Sequence, residues 1–582
     1  MGGISDMKQR EGLARVSIVL LVVWFLLTPF FWRFEVTFVS AEYYDAFYMA
    51  PLAFVHLLIF FILVFVNLLF NRVSLLVLLL IGFYFPFIQI ANYPYFTIRD
   101  VYLHAGPAQT VLDQGQIIYP KDLAPESWPT SFNLHAVLSI LTGVDVITAN
   151  YFLYLGFSFI FILTLFAFVK NLEKRGFKTA GYSAILFLGL FFNHLFDNFH
   201  HYSRTTVSFT FLFLFFFVFF FVKDRRGMFL QAFFVIAIIT THPFQSIALL
   251  VFVSSYFILD YKNRSTQFLL LFSILAFLIW STFFARLPVA EGLSRISTFL
   301  TPKYMEPIAQ GLGSSQVLPW WGTLLRDFFK YSIVSLLGLG ALGGVFFVFQ
   351  KRRNNENKQI FVGLISFLMM SFVILLFLLL LPDWHLSRYT SFAAFPAAFT
   401  AFVLIKNMKF GKKFDLVIRN MKRYSKIIMI CLLFFVITLS AVVMTMRFER
   451  NSYSGELNHP SELAALSFFF DKDMNSTVTI VSWRTTVYSS FFNYNGTHEV
   501  LRLWYQDLTG LGGNSTALLL AQTRLIDQSE SVIRGLRDEF DFHQFDNAEN
   551  VLKTMDETYI LPKFNKVYSN GYYDAYTRTR LP

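Results

Sequence analysis

Thirteen runs of apolar residues punctuate this chain, and they leave it little freedom in what to fold into. A membrane-spanning helix needs about 20 predominantly apolar residues. The runs at 14–32, 50–70, 73–92, 149–169, 179–195, 205–222, 227–241, 244–259, 266–285, 329–350, 359–381, 390–405 and 425–446 qualify, some of them short. Inside a bilayer every backbone N–H and C=O must be satisfied without water, so such runs become helices. The expected fold is a polytopic α-helical membrane protein of about 13 transmembrane helices. A composition of 55% hydrophobic and only 15% charged residues fits that class and not an ordinary soluble domain. Phe occurs 76 times, much of it in runs such as 209–222, which read as lipid-facing and interhelical filling.

The loops orient the helices. Placing the N-terminus inside puts Lys8, Arg10, Arg15, Arg72, Lys170, Lys174, Arg175, Lys178, Lys223, Arg225, Arg226, Lys262, Arg264, Lys351, Arg352, Arg353 and the basic 406–426 segment inside. Consistent alternation of this kind is the positive-inside pattern. At 227–259 the Thr241-His242-Pro243 break leaves two readings, a pair of short spans or one broken, re-entrant pair. Thirteen crossings place residues 447–582 outside. That tail carries 13 Lys/Arg against 17 Asp/Glu, a net of −4, which leaves +15 of the total +11 on the membrane part. The basic excess is therefore an orientation signal, and nothing in it supports nucleic-acid binding.

Cys431, the single cysteine, lies within an apolar run, so neither an intrachain disulfide nor a CxxC metal site can form. The first apolar run follows basic residues but precedes no small-residue cleavage pattern, and reads as a span that stays.

The domain division follows: a transmembrane part over 1–446, with long outer loops at 93–148, 196–204 and 286–328, and an extracytoplasmic α/β domain over 447–582. In the tail, 461–470 and 515–531 have helical patterns, 477–483 and 558–561 look like strands, and 566–576 reads as a hairpin around Asn570-Gly571. Sequons at Asn475, Asn495 and Asn514 fall on the outer side, and the one at Asn263 falls inside. Long outer loops joined to short inner ones put chemistry or recognition on the outer face.

Candidate chemistry gathers there in two groups. Asp100, preceded by Arg99, leads into Tyr102, His104, Pro107 and a short segment before Gly115. A carboxylate at a membrane boundary is costly unless paired, hydrated or metal-bound. Asp100 therefore either caps the next helix or pairs with Arg99, or it works at a site. The second group, 193–201, concentrates Asp197 with His194, His200 and His201 in one short outer turn. Imidazole and carboxylate are ligands for borderline divalent cations, and carboxylate and amide oxygens suit Mg²⁺ or Mn²⁺, whereas a polar turn at headgroup level would bond the imidazoles to lipid phosphate or backbone. In later loops, His385 and Arg388 open a helix where Arg388 could clamp a phosphate or snorkel, with Arg204 as a comparable alternative. His242 either lines the same cavity or packs, and Glu291 and Glu306 could be carboxylates ordered on binding.

The Asp100-Val101-Tyr102-Leu103-His104 stretch followed by Gly115, and Phe196-Asp197-Asn198 in a short outer turn two helices on, resemble the two acidic outer-loop motifs of the GT-C superfamily of multi-spanning glycosyltransferases, particularly oligosaccharyltransferase subunits. The resemblance covers the chain loosely. It implies inverting transfer of a sugar or oligosaccharide from a polyprenyl-phosphate-linked donor to a protein, lipid or glycan acceptor at the outer face. It further implies Asp100 and Asp197 as metal ligands that orient the acceptor, assisted by His200 or His201, and Arg388 as the ligand of the lipid phosphate. Three departures stand beside it. Three helices precede the Asp100 loop where the family has one, so Glu42 and Asp45 in the first outer loop compete for the role. Pro107 is expected to interrupt the helix after the acid. Ser482-Trp483-Arg484-Thr485-Thr486 stands where the family carries a WWDYG-type acceptor motif, with the match ending at the first Trp. A transporter or flippase for lipid-linked sugars and a non-catalytic scaffold with an external binding domain are the rival classes. Against the first, the charged residues avoid the span interiors.

Overall fold

The computed structural model describes residues 2–31, 51–70, 73–91, 100–115, 128–177, 180–194, 202–222, 224–285, isolated helical positions between 362 and 399, and five strands between 478 and 578. Twelve helices are described: α1 Gly2–Leu26, α2 Thr28–Phe31, α3 Pro51–Phe70, α4 Leu75–Ala91, α5 Asp100–Gln114, α6 Thr130–Thr142, α7 Val146–Lys174, α8 Ala180–His194, α9 Arg204–Phe221, α10 Arg225–Ile239, α11 Pro243–Leu259 and α12 Arg264–Phe283. The first nine apolar runs are thus all helical, with ends within a few residues of expectation except at the start of α1. The last four runs lie outside the described residues apart from isolated positions. Among the described residues, α7, α9 and α12 are long and apolar enough to cross a membrane, as a polytopic membrane protein requires.

Sequence sets where these helices begin. Asp145, Ser203, Asp224 and Asn263 each accept a hydrogen bond from a first-turn backbone N–H, capping α7, α9, α10 and α12. α7, 29 residues long, is the hub and touches α4, α5, α6, α8 and α9. Beyond it α9 packs on α10 and α11, and α12 packs on both of those. Phenylalanine fills the joints. Phe209, Phe213, Phe215, Phe216, Phe219 and Phe220 of α9 are buried, and Phe161 and Phe252 meet them edge-on at 4.8 Å from Phe213 and 4.7 Å from Phe216. Lipid tails are as apolar as these rings, so contact geometry, not exclusion from water, holds the helices together here.

A second device ties α1, α3 and α4. His56 is fully buried and stacks on Trp24, with ring centroids 5.0 Å apart. Its Nε2 lies 2.8 Å from the Trp24 carbonyl, which can only accept, so Nε2 carries the proton. Nδ1 then accepts from the Tyr84 hydroxyl at 2.8 Å, while Trp24 Nε1 donates to the His56 carbonyl at 2.9 Å. Every polar atom of the imidazole is satisfied in an apolar layer.

In the tail the strands β1 Val478–Val481, β2 Val500–Arg502, β3 Ala517–Ala521, β4 Phe564–Ser569 and β5 Tyr573–Arg578 form one sheet in the order β2-β1-β3-β5-β4. β1 runs parallel to β2 and β3, and β5 runs antiparallel to β3 and β4. The strand expected at 477–483 and the strand pair expected around Asn570-Gly571 are present. The helical reading of 515–531 is corrected at its start, where Ala517–Ala521 is a central strand pairing Leu519 with both Ile480 and Ala575. A short all-apolar run such as ALLLA has no period by which strand and helix can be told apart. The segments 461–470 and 558–561 lie outside the described residues.

Candidate functional site

The first acidic group sits on a helix. Asp100 opens α5, which runs through Pro107 to Gln114, so the expected interruption does not occur. Gly106 precedes that proline and has no Cβ to clash with the ring, which removes the usual bar to a helical residue before proline. Gly115 ends α5 in the left-handed region at φ +62, where glycine has no Cβ penalty. Asp100, at the first position, is favourably placed against the positive end of the helix dipole. Tyr102 and His104 follow on the same helix, and for these three residues the backbone placement is what is described.

α5 rests on α6 and α7 through small side chains: Ala105, Ala108 and Val111 meet Ala136 and Val146 in a separate apolar cluster. From α6 a polar network reaches the start of α9 and the α10–α11 turn. The Tyr202 hydroxyl donates to the Ser131 carbonyl at 2.8 Å, and the Tyr202 carbonyl accepts from Asn150 Nδ2 of α7 at 3.2 Å. Burial pushes the Tyr202 hydroxyl well above its ordinary pKa, so it stays a donor. Thr130 Oγ1 lies 2.8 Å from Thr240 Oγ1 and 3.0 Å from the Thr240 carbonyl. The Arg204 guanidinium lies 5.9 Å from the centre of the Phe132 ring. A cation in the first turn of a helix opposes the dipole, and the ring face of Phe132 offsets part of that cost.

His135 is at the centre of this network. Its Nε2 bonds to the Val146 carbonyl and its ring meets Tyr202 edge-on at 5.5 Å. Burial drives its pKa down to about 4, against the upward pull of that bond and of the Asp145 charge. For Asp145, burial alone would raise the carboxyl, but hydrogen bonds from Thr148 and from the Ile147 backbone outweigh it and hold it below its ordinary value.

His242 is the N-cap of α11. Its Nδ1 accepts from the Phe244 N–H at 3.1 Å and its carbonyl accepts from Ser246 Oγ at 2.8 Å, so it shapes the α10–α11 hairpin at the same rim as Thr240. His194 ends α8. Asp197, His200, His201, His385 and Arg388 lie outside the described residues, as do Glu42, Asp45, Glu291 and Glu306. Among the described residues no three His, Cys, Asp or Glu side chains gather as a metal site.

Two of the solved structures to which this chain is similar are archaeal. One is the archaeal oligosaccharyltransferase AglB from Archaeoglobus fulgidus in complex with an inhibitory peptide and a dolichol-phosphate, at 10% identity and a TM-score of 0.47, covering 80% of this chain and 71% of that one. The other is an Archaeoglobus fulgidus oligosaccharyltransferase tethered to an acceptor peptide containing the NVT sequon, at 10% identity and a TM-score of 0.49, covering 87% and 74%. No protein-family model and no curated protein matches the sequence.

The network residues Thr130, Ser131, His135, Asn150 and Tyr202 were not legible as site residues. Tyr202 had a signal, since it directly follows His200-His201. The others are ordinary polar residues whose role depends on what they touch.

Proposed function

We propose that this chain is a membrane glycosyltransferase that moves a sugar or oligosaccharide from a polyprenyl-phosphate-linked donor to an acceptor at the extracytoplasmic face, with inversion. One observation carries the reading. Tyr202, one residue after His200-His201, is bonded to α6 and α7, the two helices on which α5 and its Asp100 rest. Tyr202, which follows the second acidic segment in the chain, is thereby bonded to the platform on which α5 rests.

On this reading the donor's lipid lies among the helices and its phosphate meets Arg388, or Arg204 at the start of α9. His385 and Tyr102 flank the head group, and His242 borders it from the α10–α11 turn. Asp100 and Asp197 would supply the carboxylate ligands of a divalent ion such as Mn²⁺ or Mg²⁺, with His200 or His201 assisting. Such an ion, when bound, supplies positive charge against the phosphate as it leaves. A carboxylate orients the acceptor nucleophile and takes its proton, aided by His104, as the new bond to the sugar carbon forms and the bond to phosphate oxygen breaks. Neutralising the departing phosphate with fixed charge is where such a site gains most of its rate.

The test is transfer from a radiolabelled polyprenyl-phosphate donor pool by the purified full chain in lipid, with and without Mn²⁺. Metal-dependent transfer, reduced to background in both Asp100→Ala and Asp197→Ala, is the expected result. Undiminished transfer in either variant removes that carboxylate from the site. No transfer by the wild type, with donor crossing the bilayer instead, would replace this reading by a flippase.

A further inference from the structure

α6 turns three polar side chains inward on one face. Ser131, His135 and Ser139 follow one another at intervals of four residues and are 1%, 0% and 4% exposed. The serine carbonyls are engaged, that of Ser131 with the Tyr202 hydroxyl and that of Ser139 with the Gly143 N–H. The side-chain atoms are not. Ser131 Oγ, Ser139 Oγ and His135 Nδ1 are closed off from solvent and have no hydrogen-bond partner among the described residues. A hydroxyl on a helix commonly bonds to the carbonyl one turn back, as those of Thr110, Thr164 and Thr210 do here. The two serines of α6 keep theirs for something else.

His135 narrows what that partner can be. The Val146 carbonyl can only accept, so Nε2, bonded to it, carries the proton, and Nδ1 presents a bare lone pair. Burial keeps the ring neutral, with its pKa down at about 4. A neutral imidazole acceptor and a hydroxyl make a set without charge, and a buried ion there would go uncompensated. The partner must be small and neutral, and must donate to Nδ1. Water meets this, and it fits the spacing. Residues one turn apart on a helix have Cβ atoms about 5–6 Å apart, close to twice the ~2.8 Å of a hydrogen bond between oxygens. Side chains on a helix lean toward its N-terminus, which carries the His135 ring toward the turn of Ser131 and away from that of Ser139. Tyr202 marks the same place, with its hydroxyl 2.8 Å from the Ser131 carbonyl and its ring 5.5 Å from that of His135.

We propose that a buried water molecule is bound between His135 and Ser131, donating one proton to His135 Nδ1 and bonding the Ser131 hydroxyl. Buried waters occupy such positions, on polar groups that are otherwise unsatisfied, and are costly to remove. The bound water makes the joint of α6 with α7 and the start of α9 a hydrated polar seam, continuous with the Tyr202 bonds to Ser131 and Asn150. This holds whether or not the chain is a glycosyltransferase, and its test does not read activity.

The experiment is magic-angle-spinning NMR near neutral pH on the full chain in phosphatidylcholine and phosphatidylglycerol vesicles. The chain is perdeuterated, labelled with nitrogen-15 in histidine, and its exchangeable protons are restored from ordinary water. The His135 nitrogens are assigned by their loss in His135→Gln and, independently, by a contact with ring-labelled tyrosine that Tyr202→Phe removes. In such a sample the proton nearest a bare Nδ1 belongs to its hydrogen-bond donor. The expected result is a protonated Nε2 and an Nδ1 correlated with a proton at the water frequency, the correlation weakened in Ser131→Ala and unchanged in Ser139→Ala. A donor proton at a hydroxyl frequency that vanishes in either serine variant means that the serine bonds the ring directly, and overturns the proposal. An Nδ1 with no proton near it means a dry joint, and an Nδ1 that itself carries the proton means the other tautomer; each overturns it equally. A water correlation untouched by Ser131→Ala overturns the bridge.

Discussion

His135 is held neutral by its surroundings, and this sets a pH limit on the contacts between α6, α7 and the start of α9. Its pKa of about 4 in the folded chain lies below the ordinary 6.5, so the folded state disfavours its protonation. The stability tied to the neutral ring is complete above pH 6.5 and is lost as pH falls from there toward 4, to a limit of roughly 3 kcal/mol. The groups facing the ring are Asp145, which stays ionised through this range, and Tyr202, which stays protonated. Thermal unfolding in lipid followed from pH 7 to 4 should show a falling midpoint, with a flatter slope in His135→Gln. A slope unchanged by that substitution would mean that another group governs acid sensitivity. Tyr202→Phe keeps the ring but removes the donor to Ser131. It should cost about 1 kcal/mol in the same measurement, the ordinary net worth of one hydrogen bond. If Tyr202 also holds the second acidic segment in register, Tyr202→Phe should lower kcat more than it raises the donor KM, which lost stability alone would not do.

Among the elements, the junctions are the sensitive places. Gly143 has nothing within 4 Å of where a Cβ would go, yet its φ of +70 suits only glycine well. Gly143→Ala should therefore destabilise by about 1 kcal/mol through backbone strain alone, and Gly143→Asn by less. Gly227 is the reverse case. It lies in the first turn of α10, where a Cβ would run into the Val222 carbonyl oxygen, while its N–H donates to Asp224 Oδ1 at 2.9 Å. Gly227→Ala should cost about 2 kcal/mol, because the obstacle is backbone and cannot rotate away. Equal effects of the two alanines on the unfolding midpoint would contradict this distinction. Element boundaries read from apolar runs lie within three residues of the capped starts of α7, α9 and α12, where Asp145, Ser203 and Asn263 are the capping residues. They were misread where a rule has a local exception: Pro107 sits inside α5 with a glycine before it, and Ala517–Ala521 is a strand whose all-apolar sequence shows no period.

For the whole molecule, helical membrane architecture was legible because the bilayer makes a single demand, that backbone polar groups be satisfied internally, and apolar length answers it residue by residue. The first nine apolar runs are helical among the described residues, and the aromatic excess of the sequence becomes the buried contacts between α7, α9 and α11. If the chain is oriented with its N-terminus inside, a reporter fused after Lys262 should be protected from added protease in sealed vesicles and one fused after Pro582 should be cleaved. The opposite pattern would invert the topology. The sequence alone determined the class of fold, the places where helices start, and the two acidic segments worth testing, since all of these depend on residues close together in the chain. The tertiary structure decided which polar residues serve as ties, how Tyr202 is bonded to α6 and α7, and that His135 is buried between them. Those outcomes depend on what lies across a contact, and no local pattern in the sequence encodes the neighbour.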